Sequence, residues 1–239
     1  MILTDDNFVT IVEAVKQGRS IYDNIRKAVH FLIATNIGEI VTIFLGLILG
    51  MNAPLLAIQL LWINLVTDSI PAIALGLEPE DKNIMNKKPK DARAGIFSDG
   101  LWGKILVEGV MIGVLTLFIF SLGNKLYGLE VARTMTFVSL GMIEMVHSFN
   151  IRSEESIFKV GLFHNKYLVG AFIIGTIMQI GIVFIPSIAN IFDLVTLTST
   201  QWLYIAAISF APIVIVELQK KLNEILFGRT VYEYKEARN

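Results

Sequence analysis

The sequence predicts an all-α membrane protein, a six-helix transmembrane bundle, and three observations carry that prediction. Of its 239 residues, 54% are hydrophobic, and the mean hydropathy is +0.63; soluble domains sit at about 45–50% apolar. Apolar runs long enough to cross a bilayer recur, with charged residues collected between them. Lys and Arg also divide unevenly between the two sides that those runs define.

The first residues, Met1 to Phe8, are short and acidic, with neither the basic start nor the apolar stretch of a signal peptide. Val9 to Arg19 comes next with Val9, Ile11, Val12 and Val15 at helical spacing, an amphipathic soluble helix. The first span runs from Ile21 to Gly50. At about 30 residues it is ~45 Å long, more than a bilayer needs. Its first turns carry Asp23, Arg26, Lys27 and His30, so they are expected to project into the cytosol. The turn Met51-Asn52-Ala53-Pro54 leads to the second span, Leu55 to Leu77. The third covers Leu101 to Leu122, the fourth Val131 to Phe149, the fifth Tyr167 to Ala189 and the sixth Thr200 to Leu218.

With both termini placed in the cytoplasm, only Lys125 and Arg133 of the 20 Lys and Arg residues fall outside, as the positive-inside rule requires. The largest inside loop, Glu78 to Gly100, carries Lys82, Lys87, Lys88, Lys90 and Arg93. A charged tail begins at Lys220. The net charge of −1 says nothing about nucleic acid, but no basic run is interleaved with aromatics, and no nucleic-acid partner is expected. Zero cysteines exclude a disulfide framework and a thiolate metal site.

The informative residues are polar ones inside the spans. A carboxylate at membrane depth costs roughly 2.5–3.5 kcal/mol on insertion scales, so it marks a functional site by default. Asn36 and Glu39 are three apart and share a helix face. Asn64, Thr67 and Asp68 are spaced i, i+3, i+4 and share another. The short turn makes their two helices antiparallel neighbours, so the two clusters can face each other as a set of hard oxygen donors suited to a cation. Pro71 removes the hydrogen bond to the carbonyl four residues back, that of Thr67, so a break is expected between Thr67 and Pro71. Gly38 permits close approach of a neighbouring helix. Glu144, in the fourth span, is a third inward carboxylate. Gln59 and Gln179 read as interhelical glue, Thr35 as bonded to its own helix, and Glu108 as a structural or snorkelling residue. His30, His147 and His164 are scattered near interfaces and make no transition-metal site.

These residues resemble the P-type cation-transporting ATPases, in the calcium-pump branch of reticulum-type and bacterial pumps. Thr4-Asp5-Asp6-Asn7-Phe8, Gly18-Arg19 and Ile21-Tyr22-Asp23-Asn24-Ile25 are similar to the end of the family's phosphorylation domain and its run into the fifth membrane helix. Asn36-Ile37-Gly38-Glu39 is similar to that helix's ion-site motif, and Gln59 to Ala72 to the sixth helix. Ala74-Leu75-Gly76 and Glu78-Pro79 are similar to that helix's end, and Met85 and Lys88-Pro89 to the family's next loop.

The resemblance implies a division of the chain. Residues 1–20 would be the end of the phosphorylation domain and the stalk entry, 21–230 the family's helices five to ten, and 231–239 a cytosolic tail. It also implies metal-site roles. Asn36, Glu39, Thr67, Asp68 and Glu144 match one calcium site, and Asn64 and Asp68 match the shared part of a second. Asn64 and Gly38, where sodium/potassium and proton/potassium pumps carry Asp and Pro, favour calcium.

No Asp-Lys-Thr-Gly motif or Thr-Gly-Glu loop occurs in the sequence. The expectation is therefore a C-terminal piece with no catalytic residue of its own. ATP and Mg2+ would act through the missing cytosolic domains, which with the first four helices and the lipid bilayer would be its partners. Other readings are a pump for Mn2+ or Na+/K+, a proton-coupled secondary carrier, and an assembly module that transports nothing. Three buried acids without a buried Lys or Arg argue against the last, because only protons or metal would then compensate them.

Overall fold

A computed structural model describes residues 8–81, 83–86 and 95–227. Every regular element among the described residues is helical. The basic loop residues Lys82, Lys87, Lys88, Lys90 and Arg93, residues 1–7 and the tail 228–239 lie outside them.

Helix α1 (Phe8–Ile48) is 41 residues long, ~60 Å at 1.5 Å per residue. The amphipathic start and the first span are thus one continuous rod. Its buried residues, among them Asn24, Phe31, Thr35, Gly38, Glu39, Thr42 and Gly46, recur at three- and four-residue steps along one face. It ends at Gly50, whose φ is +68°. The Met51 N–H bonds the Gly46 carbonyl at 2.9 Å and the Gly50 N–H bonds Leu47 at 3.0 Å, the paired closure that a left-handed residue makes at a helix C-terminus.

The second span breaks in its middle. It comprises α2 (Ala57–Trp62), a π-helical turn (Ile63–Asp68) and α3 (Ser69–Gly76). The break lies about one turn earlier than Thr67–Pro71. Pro71 sits in the first turn of α3, where a missing N–H leaves no bond unmade, so the distortion falls on the carbonyls upstream. Side chains take them up. Ser69 Oγ donates to the Asn64 carbonyl at 3.0 Å, Thr67 Oγ1 to Ile63 at 2.9 Å and Asn64 Nδ2 to Leu60 at 3.0 Å.

Helix α4 (Leu101–Tyr127) packs along α1, and glycines set the spacing. A Cβ on Gly109 would lie 2.5 Å from Ile37 Cγ2 and 2.9 Å from the Ala34 carbonyl; on Gly113, 2.4 Å from Val41 Cγ1; on Gly38, 2.6 Å from Ile112 Cγ2. Gly128 turns the chain directly into α5 (Leu129–Ile151). Every residue from Thr134 to Arg152 except Met142 is buried, because α5 is surrounded by α1, α3, α4, α7, α9, α10 and the π turn.

After the short α6 (Ile157–Val160), α7 (Lys166–Phe184) starts on an Asn165 cap, whose Oδ1 accepts the Leu168 N–H at 3.0 Å. It stops before Pro186, short of the expected Ala189, and α8 (Pro186–Ile191) begins there. The last span is divided into α9 (Ser199–Ser209) and α10 (Ala211–Phe227), with Pro212 in the first turn of α10, the same proline effect as in the second span.

Five segments among the described residues are long and apolar enough to cross a membrane: Phe8–Ile48, Ala57–Gly76, Leu101–Tyr127, Lys166–Phe184 and Ser199–Ile225. The expected fourth span, α5, has 23 residues but is not among them. Encased by protein, it need not be apolar toward lipid, and it carries Arg133, Glu144 and His147 instead. Exposed Leu47, Phe118, Ile177 and Phe184 on the outer helices are consistent with a lipid-facing surface.

One end of the bundle is braced by a buried ion pair. Arg152, 4% exposed, meets Glu78, 7% exposed. Nε lies 3.1 Å from both carboxylate oxygens and Nη2 3.0 Å from Oε1. Asn165 Nδ2 donates to Glu78 Oε2 at 2.6 Å, and Asn24 Nδ2 to the Glu78 carbonyl at 2.7 Å. The network joins α1, the end of α3, the end of α5 and the start of α7. A buried Arg therefore exists, against expectation, but Glu78 holds it.

Candidate cation-binding site

Three carboxylates from three separate spans converge at the broken helix. Glu39 comes from α1, Asp68 from the last position of the π turn and Glu144 from α5. One oxygen of each lies within 4.8 Å of the others. Two oxygens bound to one calcium-sized ion at 2.3–2.6 Å can be at most about 5 Å apart, so the cluster has the dimensions of a shared ion. The acids are 8%, 1% and 0% exposed, respectively. No Lys or Arg among the described residues bonds any of them.

The hydrogen bonding is incomplete in an informative way. Asn64 Nδ2 donates to both Glu39 oxygens, at 2.8 and 2.9 Å. Thr35 Oγ1 lies 2.9 Å from Asp68 Oδ2. Asp68 Oδ1 and both Glu144 oxygens are buried with no hydrogen-bond partner among the described residues. Native interiors rarely leave such acceptors unpaired, and each calls for an explanation such as an ion. The donor set is all oxygen, which suits hard cations such as Ca2+ or Mn2+ and not a thiophilic metal.

The backbone explains the placement. Asp68 ends the widened turn, so its side chain leaves the helix at an angle an unbroken α-helix would not give. Gly141, one turn before Glu144, has no side chain, and Gln179 and Thr67 occupy that space. A Cβ there would lie 2.8 Å from Gln179 Nε2 and 3.1 Å from Thr67 Cγ2.

The six sequence-derived residues therefore fall into groups. Glu39, Asp68 and Glu144 are brought together, and Asn64 joins them through Glu39. Thr67 is fully buried in the adjoining wall, its hydroxyl bonded to the Ile63 carbonyl. Asn36 is exposed, and its Nδ2 donates to Leu32 of its own helix at 2.5 Å; the roughly 60° offset between positions three apart places it at the edge of the face.

Thr35 corrects the sequence reading. It reaches Leu32 at 3.1 Å as expected, but it is also within bonding distance of Asp68. Its i, i+4 spacing to Glu39 was the available signal. Gln179 and Gln59 do bridge helices. Gln179 accepts from Trp62 Nε1 and donates to the Phe137 carbonyl, both at 2.9 Å, and Gln59 Nε2 donates to Phe192 at 2.9 Å. The histidines are not all scattered, since His30 and His147 meet at Glu108.

Comparisons with known proteins agree with this architecture. The family described as cation-transporting ATPase, C-terminus, matches residues 52–222. The chain is 44% identical over 238 residues to calcium-transporting ATPase 1 of Bacillus cereus, covering 92% of this chain and 27% of that protein. It is 37% identical to the calcium-transporting ATPase of Bacillus subtilis, covering 89% and 24%. It is 34% identical to the endoplasmic reticulum calcium ATPase srcA of Aspergillus fumigatus, covering 95% and 27%. The chain thus spans about a quarter of the length of the curated relatives it matches. With its helical membrane bundle and its match from Asn52 through Leu222, the chain belongs to the cation-transporting ATPase C-terminal family.

Proposed function

We propose that this chain is the ion-binding membrane portion of an ATP-driven calcium transporter. The observation that carries the reading is the convergence of Glu39, Asp68 and Glu144, with three unpartnered carboxylate oxygens, on a helix already broken beside them. A cation entering there satisfies acceptors that no protein group satisfies, and its charge offsets acids that otherwise require protons. Asn64 and Thr67 supply neutral oxygens nearby, and Asn36 stands at the rim. Asp68 is the central ligand, held from one side by Thr35. The names of the relatives support calcium as the cargo.

In this reading α5 is the fourth of six membrane passages and both termini face the cytoplasm. Residues 1–20 are the end of a phosphorylation domain and the stalk entry, the 41-residue α1 beginning within them at Phe8, and 231–239 form a cytosolic tail. ATP and Mg2+ are used by cytosolic parts of the pump, which couple to the site along α1. A rod of continuous helix is suited to transmit a displacement from a phosphorylated domain to Glu39.

The test is Asp68→Asn in a full-length pump carrying these residues. The shape is kept and one charge is lost. Calcium-45 binding and calcium-dependent phosphorylation by ATP should fall at least tenfold, with expression near normal. Binding within twofold of the unsubstituted pump would remove Asp68 from the site. A manganese competition series on the same preparation decides between the two hard ions.

A further inference from the structure

A second cluster of titratable groups lies apart from the cation site. Glu108 of α4 is buried within a membrane-spanning helix, and two imidazoles converge on one of its oxygens. His30 Nε2 of α1 is 2.6 Å from Glu108 Oε2, and His147 Nε2 of α5 is 3.2 Å from it. His147 is fully buried and His30 is 7% exposed. Behind His147, its Nδ1 lies 3.3 Å from Asn150 Nδ2. Asn150 is 3% exposed, and its Oδ1 has no hydrogen-bond partner among the described residues.

His30, Glu108 and Asn150 line a crevice of about 60 Å³ together with Lys104, Glu154 and Lys220, among others, while His147 does not line it and meets it through Glu108 and Asn150. A water needs roughly 10–15 Å³ of such volume, so the crevice has room for several. The other charged groups around it are already paired. Lys104 bonds Glu154, and Lys220 bonds Glu217 at 3.4 Å as well as the Glu155 carbonyl at 2.9 Å. Glu144 lies about one turn away along α5 and does not line the crevice.

The hydrogen-bond inventory shows what is missing. With Asn150 Nδ2 donating to His147 Nδ1, that imidazole is neutral and carries its proton on Nε2, toward Glu108. When both rings are neutral and donate to the one carboxylate, the cluster carries a net charge of −1 in a buried place, and the Asn150 oxygen is without a donor. One added proton changes both. On His147 Nδ1 it makes an imidazolium paired with Glu108, a neutral sum. Rotating the Asn150 carboxamide by a half turn places Oδ1 opposite the new N–H, so the orphan acceptor gains its donor.

We infer that His30, Glu108, His147 and Asn150 form a proton-holding site, loaded from water through the crevice between α1, α4, α5 and α10. The proton comes from a crevice water and rests on His147 Nδ1; Glu108 and the Asn150 oxygen hold the imidazolium at its two nitrogens. The site gives the bundle a charge change that does not use the cation ligands. His30, as the second donor, keeps Glu108 oriented when the proton leaves.

The chain contains three histidines, and His164 is exposed, so it serves as an internal reference. Nitrogen-15 NMR of histidine-labelled protein in lipid nanodiscs, from pH 5 to 9, reads the protonation of each ring. The expected result is that His147 passes from the Nε2–H neutral form to imidazolium within this range. Glu108→Gln should weaken that proton binding at least tenfold and leave His164 unchanged. Asn150→Leu, a milder change, should weaken it severalfold. The inference is overturned if His147 stays neutral across the range in the unsubstituted protein, which needs no variant to fold. It is also overturned if both substitutions leave the His147 midpoint where it was. The readout does not involve calcium, so its outcome is independent of the pump reading.

Discussion

Removing Arg152 tests how the bundle holds its broken helix in place. The guanidinium makes three contacts with Glu78 at 3.0–3.1 Å and two with the Gly161 and Leu162 carbonyls at 3.2 Å. In Arg152→Met the carboxylate keeps Asn165 as a side-chain donor, the Leu162 carbonyl loses the guanidinium, and the Gly161 carbonyl keeps only the His164 N–H at 3.3 Å. Removing one member of a buried ion pair costs about 3–5 kcal/mol, a factor of roughly 150 or more in an unfolding equilibrium at 1.4 kcal/mol per tenfold. Glu78→Leu in the same background removes the stranded charge, so the double variant should recover more than half of the loss. The assay is reversible unfolding in mixed micelles, monitored by the fluorescence of Trp62, Trp102 and Trp202. A single-variant loss under about 1 kcal/mol, the range of an exposed pair, would show that the network does not carry this load. Strict additivity in the double variant would show that Arg152 and Glu78 are not coupled.

Other named contacts yield further expectations. Gly109→Leu should separate α1 from α4, because its Cβ alone falls 2.5 Å from Ile37 and 2.9 Å from a backbone carbonyl. Overpacking of this kind costs roughly 1–3 kcal/mol, and unchanged unfolding would refute the tight contact. Gln179→Leu leaves Trp62 Nε1 without its acceptor and takes the second donor from the Phe137 carbonyl, so stability should fall by about 1–3 kcal/mol. Calcium-45 binding in the full-length pump should stay within a fewfold, and a loss as large as that of Asp68→Asn would make Gln179 part of the site. Since the chain has no native cysteine, single cysteines report sidedness cleanly. Leu126→Cys should react only from outside and Glu154→Cys only from the cytoplasmic side, and labelling of both from one side would reject an odd number of passages between them.

Much of this protein is legible in its sequence alone. Runs of apolar residues set an all-helical membrane class, since a helix satisfies its own N–H and C=O groups where a bilayer offers no partner. Spacing put Glu39 on one face, Asp68 on another, and joined them by a turn too short to allow anything but antiparallel packing. Pro71 announced a break, because the loss of an N–H is a covalent fact.

Packing settles the rest. That the break becomes a π turn at Ile63–Asp68 depends on Ser69, Thr67 and Asn64 finding the freed carbonyls. That Asn36 lies at the rim while Thr35 reaches Asp68 depends on the roll of α1 against α3 and α4, which is set by where Gly38, Gly109 and Gly113 let the backbones close. His30 and His147 are 78 and 39 residues from Glu108 along the chain, and no local pattern links them. Arg152 and Glu78 are 74 apart, and the polar α5 is understood only once its neighbours cover it. Periodicity is a property of one helix and can be read from its sequence. Which faces meet is a property of the packed bundle, fixed by the sum of many small contacts between segments distant in the chain.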